Sequence, residues 1–251
     1  MKRKVRFSYL GFIALMMIAL FVWKSPARFF ADSELQNKKH NVVFPNYEAT
    51  IQKKDGDTYV VNNPDSILVL VNKQRRLPDA YTPADLVIPK VRFAYTGDKE
   101  KMKMRKEAAG ALEKLFAKAQ QQNVNLFAVS AYRSYERQKA LHTMYKQTEG
   151  EAVAVASSAV PGTSEHQTGL AIDVSSQSAQ FQLEAVFGET KEGKWLMQHG
   201  HEYGFVIRYP KGKEKVTGYT YEPWHIRYVG IPYATYLYKH GLTLEEAMPS
   251  K

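Results

Sequence analysis

The chain has 251 residues, of which 44% are hydrophobic and 24% charged, a size and composition that suit one folded domain with an appendage. It contains no cysteine, which excludes a disulfide framework, a cysteine-ligated metal and a cysteine nucleophile. The formal net charge is +10, yet no basic-aromatic motif of a nucleic-acid-binding module is present, so we expect no nucleic-acid partner.

The amino-terminal segment combines a basic flank with an apolar run. Four of residues 2–6 are Lys or Arg, and residues 7–23 carry no charged side chain. As a helix, this run would extend about 26 Å, close to the thickness of a bilayer core. Because a positive flank stays cytoplasmic, the rest of the chain should lie outside. We therefore predict that residues 1–24 anchor a single-pass protein in the cell membrane.

Two features follow the apolar run. Residues 25–27 (SPA) are a poor signal-peptidase site because they contain a proline, and secretion after cleavage is the alternative to an anchor. Residues 25–61 are polar without sustained periodicity and predict a tether, which leaves residues 62–251 for the folded domain.

The domain begins with a strand and a long helix. Residues 67–72 read ILVLVN and predict a buried strand. A helix capped by Thr96 or Asp98 then runs to about Asn123, and residues 126–132 predict a second strand. The apolar stripe of the helix consists of Met104, Ala108, Leu112, Leu115 and Ala119.

Short helices and strands mix in the second half. Ser134 and Pro232 are favoured at the start of a helix, and Gly204 and Gly241 just past its end. Residues 150–163 suit a loop. We predict helices over residues 134–149, 191–203 and 232–240, and strands over residues 169–174, 205–208 and 224–229. This order is typical of an α+β fold rather than of repeated βαβ units.

Three segments contain the residue types of a hydrolytic metal site. They are SAYRSYERQ (130–138), SEHQTGLAID (164–173) and EPWHIRY (222–228). Hydrolytic zinc needs three ligands, an open position for water and a carboxylate that takes the proton of that water. His166, Asp173 and His225 can supply the ligands, and Glu222 can supply the base.

Geometry restricts this interpretation. Ligand atoms on one zinc lie about 3 Å apart, whereas seven extended residues reach about 23 Å, so the chain must reverse between His166 and Asp173. Gly169 offers the turn. Pro223 favours an extended conformation at Glu222. An ideal strand would place Glu222 and His225 on opposite faces, so we expect a bend there.

Spacing alone leaves a structural interpretation open, in which the His–Asp pair is a surface feature and Trp224 packs in a turn. Other hydrolase templates are absent, since the chain has no Ser-x-x-Lys and no His-Glu-x-x-His sequence.

The three segments resemble those of the D-alanyl-D-alanine carboxypeptidase family of the VanY and LdcB kind, within the M15 zinc peptidases. SAYRSYERQ resembles S-x-Y-R-S-x-x-x-Q, and SEHQTGLAID resembles S-x-H-x-x-G-x-A-x-D. TGYTYEPWHIRYVG resembles the closing stretch of the family, and ILVLVNKQRRLPDAYTPADLV resembles the start of its catalytic domain. The resemblance extends from about Asn62 to Ala247.

The resemblance implies a role for each matching residue. His166, Asp173 and His225 fall on the zinc ligands, Glu222 on the catalytic base, and Arg133 on the arginine that binds substrate and stabilises the oxyanion. Further substrate contacts fall on Gln138, Ser164, Tyr219 and Trp224, although packing explains the two aromatic residues equally well. The implied fold is a small central antiparallel sheet flanked by helices, of the Hedgehog and D,D-peptidase type.

The implied activity is zinc-dependent removal of the terminal D-alanine from peptidoglycan stem peptides by a monomer in the cell envelope. One alternative is an L,D-carboxypeptidase that acts on tetrapeptide stems. Another is a non-catalytic wall-binding module, which would not need Glu222 as a base. A third is a secreted wall endopeptidase, which would diffuse freely.

Overall fold

A computed structural model describes residues 42–150 and 158–250. The described strands are β1 Ile51–Asp55, β2 Thr58–Val61, β3 Arg75–Arg76, β4 Leu86–Val87, β5 Met104–Arg105, β6 Phe127–Ser130, β7 Ala171–Ser175, β8 Phe205–Tyr209 and β9 Glu222–Tyr228. The described α-helices are α1 Lys106–Gln121, α2 Tyr135–Glu149, α3 Lys191–His199, α4 Glu214–Thr217, α5 Ile231–His240 and α6 Leu244–Ala247.

A four-stranded antiparallel sheet lies at the centre, in the order β6-β7-β9-β8. Its register brings Asp173 opposite both Ser130 and His225, and Ile172 opposite Ile226. Two smaller sheets lie outside it, one formed by β1, β2 and β3 and the other by β4 and β5. The mixed α and β composition and the central antiparallel sheet are as predicted.

The two faces of the central sheet have different environments. Ile172, Val174 and Ile226 belong to the main hydrophobic core, which also contains the buried stripe of α1 and Leu196 of α3. Successive residues of a strand point to opposite faces. Asp173 and His225 therefore point away from this core, which places the predicted ligands on the other side of the sheet.

Most predicted helix ends are confirmed. The Ser134 hydroxyl accepts a hydrogen bond from the Arg137 amide at the start of α2. Gly204 and Gly241 end their helical segments in the left-handed conformation. Pro232 occupies the first turn of α5, one residue after its start.

The prediction of a strand over residues 67–72 is wrong. The segment is buried but makes no strand ladder, apart from an isolated bridge at Asn72. Arginine side chains bind its carbonyl groups instead: Arg227 donates to Ile67 and Val69, and Arg75 donates to Leu70. These side-chain hydrogen bonds satisfy the backbone that a neighbouring strand would otherwise satisfy.

The long helix begins later than predicted. The Asp98 carboxylate accepts from the Glu100 amide, but α1 starts only at Lys106. The residues before it are held by distant partners, since the Arg105 amide donates to Gly169 and that of Lys106 to Asp85. Met104 is buried, as expected for the stripe, but it lies in β5.

Residues 42–61, assigned above to the tether, contain the β1–β2 hairpin and the buried side chains of Phe44, Val60 and Val61. The predicted boundary at residue 62 therefore lies inside a compact unit that starts at Val42. The predicted anchor and residues 25–41 lie outside the described residues. Over residues 42–150 and 158–250, no helix is both long and apolar enough to cross a membrane.

Candidate metal centre and active site

A tight turn brings two of the predicted ligands together. Residues Glu165–Thr168 form a 3-10 helical turn, and Gly169 follows in the left-handed conformation with φ 66°. The chain then reverses into β7, so that Oδ2 of Asp173 lies 3.4 Å from Nε2 of His166. The reversal expected between these two residues is confirmed.

The third ligand comes from the neighbouring strand. His225 pairs with Asp173 across β7 and β9, and its Nδ1 lies 3.0 Å from Asp173 Oδ1. The two imidazole rings are 4.9 Å apart and nearly perpendicular. One candidate ligand atom from each of His166, Asp173 and His225 lies within 4.8 Å of the others, and all three side chains are buried.

The hydrogen bonds of the two imidazoles indicate which nitrogen faces a metal. Nδ1 of His166 donates to the Ala131 carbonyl at 2.7 Å, which leaves Nε2 towards Asp173. Nε2 of His225 lies 3.4 Å from a Glu165 oxygen, which leaves Nδ1 towards Asp173. Two imidazole nitrogens and one carboxylate are a set that suits catalytic zinc, so these residues fit the ion.

The pKa values of the two histidines move in opposite directions. Burial lowers the pKa of His166 to about 3, even though Asp173 opposes the change. Burial also disfavours a charged His225, but hydrogen bonds with Asp173 and Glu165 outweigh it and raise the pKa of His225 to about 9. Without metal, His166 is therefore neutral and His225 is a cation at neutral pH.

Glu222 lies at the start of β9, opposite Tyr209 of β8. The register of the two strands shifts between Ile207, which pairs with Ile226, and Tyr209. This irregularity lies where a bend was expected. Burial raises the pKa of Glu222 to about 7, and Asp173 adds to the effect. Among the described residues its carboxylate has no hydrogen bond or ion pair, so it is free to accept a proton.

Arg133 lies on the His166 side of the centre. Its amide donates to the His166 carbonyl at 3.2 Å, and its guanidinium Nη1 donates to Gln138 at 2.9 Å. Within the described part of the chain, its other guanidinium nitrogens have no hydrogen-bond partner. Gln138 is fully buried, and its amide donates to Ser158 and Ala159. This places Gln138 between Arg133 and the following loop rather than in an open position for substrate.

The other side chains that were predicted to contact substrate lie in three different environments. Tyr219 stacks on Tyr209 at 4.4 Å, and Tyr209 lies 5.0 Å from the ring of His225. Tyr219 is thus one aromatic layer away from the centre. Trp224 packs against the main core, in accordance with the packing alternative, and Ser164 is buried directly before the turn that carries His166.

Sequence reasoning missed Glu165. Its side chain is completely buried and forms ion pairs with Arg208, Arg227 and His225. Burial alone would raise the pKa of Glu165, but the two arginines outweigh it and hold the pKa well below its usual range. The available signal was an arginine in each of the two strands predicted over residues 205–208 and 224–229, together with an acid next to His166.

Comparison with known proteins gives one matching family model and several similar proteins. Residues 101–231 match the family model described as VanY, D-alanyl-D-alanine carboxypeptidase. The chain is 47% identical to the protein YodJ of Bacillus subtilis (strain 168) over 218 residues, which cover 86% of this chain and 80% of YodJ.

Two solved structures extend the comparison. The LdcB LD-carboxypeptidase superposes with a TM-score of 0.78 and 46% identity, covering 84% of this chain and 100% of that chain. A vancomycin-resistance D,D-pentapeptidase VanY in complex with Zn(II) superposes with a TM-score of 0.55 and 34% identity, covering 72% of this chain and 98% of that chain. With the family model and the relative at 47% identity, these matches establish that the chain belongs to the VanY family of D-alanyl-D-alanine carboxypeptidases.

Proposed function

We propose that this protein is a zinc carboxypeptidase that removes the terminal D-alanine from peptidoglycan stem peptides. The observation that carries the proposal is the convergence of His166, Asp173 and His225 on one point, with Glu222 nearby and without a hydrogen-bond partner among the described residues. A site that only bound the wall would have no need of a half-buried carboxylate with a pKa of about 7.

His166, Asp173 and His225 would hold the zinc ion, which when bound polarises the scissile carbonyl and makes water a better nucleophile. Glu222 takes a proton from the attacking water and returns it to the amine of the departing D-alanine. The water oxygen first bonds to the carbonyl carbon, and the carbon–nitrogen bond then breaks as the departing amine takes the proton.

Arg133 supplies positive charge on the His166 side of the metal centre. Its guanidinium nitrogens that have no partner in the described part of the chain can donate to the terminal carboxylate or to the oxyanion that develops on the scissile carbonyl. Gln138 accepts from Nη1 and so fixes the plane of the guanidinium. Because Gln138 is itself held by Ser158 and Ala159, the orientation of Arg133 depends on that loop.

The test is the substitution Glu222→Gln. Glutamine has nearly the same shape but cannot accept the proton, so we expect turnover to fall by about 10²–10⁴-fold with zinc content unchanged. Glu107→Gln is a matched control, because Glu107 accepts from the Tyr228 hydroxyl of the same strand at 2.7 Å but lies on the helix side. Near-normal turnover of a folded, zinc-loaded Glu222→Gln protein would refute the mechanism.

The bond that is cleaved has two candidates. The name of the family whose model matches favours the D,D bond of a pentapeptide stem. The likeness to LdcB, which is closer in both identity and TM-score than the likeness to VanY, favours the L,D bond of a tetrapeptide stem. Mass spectrometry of products from defined stems separates them: tetrapeptide from pentapeptide indicates D,D cleavage, and tripeptide from tetrapeptide indicates L,D cleavage.

We further propose that residues 1–24 anchor the enzyme in the cytoplasmic membrane, with the catalytic domain on the outer side where peptidoglycan lies. The support is the basic flank followed by the uncharged run of residues 7–23. Membrane fractionation and sequencing of the mature amino terminus test this. A soluble protein with a new terminus near residue 28 would contradict the anchor.

A further inference from the structure

We infer that Glu165 is a positioning residue, which fixes the imidazole of His225 as a metal ligand and is itself fixed by Arg208 and Arg227. The inference rests on the proposed function, because it concerns the ion held by the same centre. Glu165 directly precedes His166 in the turn, so one short segment carries a ligand and the group that orients the opposite ligand.

The two oxygens of Glu165 have separate partners. Oε1 accepts from Arg208 Nε and from Arg227 Nη1, both at 2.7 Å. Oε2 lies 3.4 Å from Nε2 of His225. With Oε1 held by two guanidinium groups, the carboxylate cannot rotate, and Oε2 stays directed at the imidazole.

The arginines are held in turn by distant parts of the chain. Arg227 also donates to the carbonyls of Ile67 and Val69, at 3.0 and 2.8 Å. Arg208 forms a two-point ion pair with Glu245 of α6, at 2.8 and 2.6 Å. The guanidinium fork has fixed geometry, so each of these contacts restricts the position of Glu165.

Stability alone is a poor explanation for such a network. The desolvation of buried charges offsets most of their attraction, and buried ion pairs often contribute little net stability. The network instead fixes the orientation of the Glu165 carboxylate. An imidazole can present either nitrogen to a metal, and the hydrogen bond to the other nitrogen selects between them. Glu165 is the group that makes this selection for His225.

The substitution Glu165→Gln tests the inference through zinc affinity, measured by competition with a chromogenic chelator. Loss of an outer hydrogen-bond partner of a metal ligand weakens metal binding by about 10–100-fold, which is the result that we expect. Glu246→Gln is the matched control, because it changes a carboxylate of the same helix α6 that accepts from Lys213 and from the Thr243 amide. Among the described residues Glu246 contacts neither Arg208 nor Arg227, so we expect zinc affinity to stay within about twofold.

A second measurement needs no substitution and remains decisive if Glu165→Gln does not fold. Long-range ¹⁵N NMR of the zinc-loaded wild-type protein should show a proton on Nε2 of His225 and on Nδ1 of His166. A proton on Nδ1 of His225 would overturn the inference, as would unchanged zinc affinity in folded Glu165→Gln. A wild-type protein that binds no zinc would refute the proposed function itself, which separates the two failures.

Discussion

At the scale of single residues, the metal centre contains a proton on Nδ1 of His225 that a bound metal ion must displace. In the metal-free protein His225 donates from Nδ1 to Asp173 and from Nε2 to Glu165, and its pKa is raised to about 9. A metal ion needs the Nδ1 lone pair, so it must displace that proton. His166, whose pKa is about 3, has no comparable proton to lose.

We therefore predict that zinc binding releases about one proton between pH 7.5 and 8.5. The pKa of His225 in the folded protein lies above the ordinary value of 6.5, so the imidazole stays protonated until pH approaches 9. Zinc affinity should consequently increase with pH up to about 9 and then level off. Calorimetric titration at one pH, in two buffers with different ionisation enthalpies, measures the proton count.

The same titration near pH 10 is the control, because His225 is then already neutral and the part of the release that comes from its imidazole should disappear. Binding without proton release at pH 7.5 would contradict the charged state of His225 deduced from its two carboxylate partners.

At the scale of elements, the turn before β7 determines whether two ligands meet. Gly169 has a φ of 66°, a conformation that other residues adopt only with strain. An added Cβ would also lie 2.9 Å from the Leu86 side chain and 3.3 Å from the Arg105 amide nitrogen. The close approach of β5 leaves no space for relaxation of the backbone.

We predict that Gly169→Ala destabilises the metal-free protein by about 1–3 kcal/mol, the usual range for backbone strain, and weakens zinc binding by moving His166. Gly110→Ala is the matched control, since an added Cβ in the middle of α1 meets nothing within 4 Å. That change should stabilise the helix by about 0.5–1 kcal/mol. Urea unfolding measures the change in stability of each variant. Equal changes for the two variants would show that the turn tolerates a side chain.

At the scale of the whole molecule, the centre joins segments that are far apart in the chain. His166 and Asp173 come from one turn and strand, His225 from another strand, and Arg227 reaches back to Ile67 across 160 residues. A ligand that binds the folded state but not the unfolded state stabilises all of these contacts together.

We predict that chelation of zinc lowers the melting temperature by about 10 °C. At a free zinc concentration 1,000-fold above its dissociation constant, binding contributes about 4 kcal/mol, and each kcal/mol moves the midpoint of a domain this size by about 2–4 °C. Glu222→Gln should show the same shift, because its ligands are intact. Equal melting temperatures of the wild-type protein with and without a chelator would contradict the prediction.

Much of the site follows from the sequence because its determinants are local or chemical. The absence of cysteine restricts the ligands to His and carboxylate, and the helix signals at Ser134 and Gly204 act within a few residues. Spacing alone left the metal centre open. The resemblance of the three segments to a zinc peptidase family assigned His166, Asp173 and His225 as ligands, and their convergence in the structure supports that assignment.

Only the tertiary structure decided the features that depend on distant partners. The segment at residues 67–72 has the composition of a strand, but its carbonyls bind Arg75 and Arg227, so no neighbouring strand is needed. The start of α1 depends on the bond from Arg105 to Gly169. Glu165 is an ordinary acid in the sequence and becomes the orienting partner of His225 only when β8 and β9 bring two buried arginines to it. Hydrogen bonds and charge pairs of this kind are determined by proximity in space, which composition and periodicity do not encode.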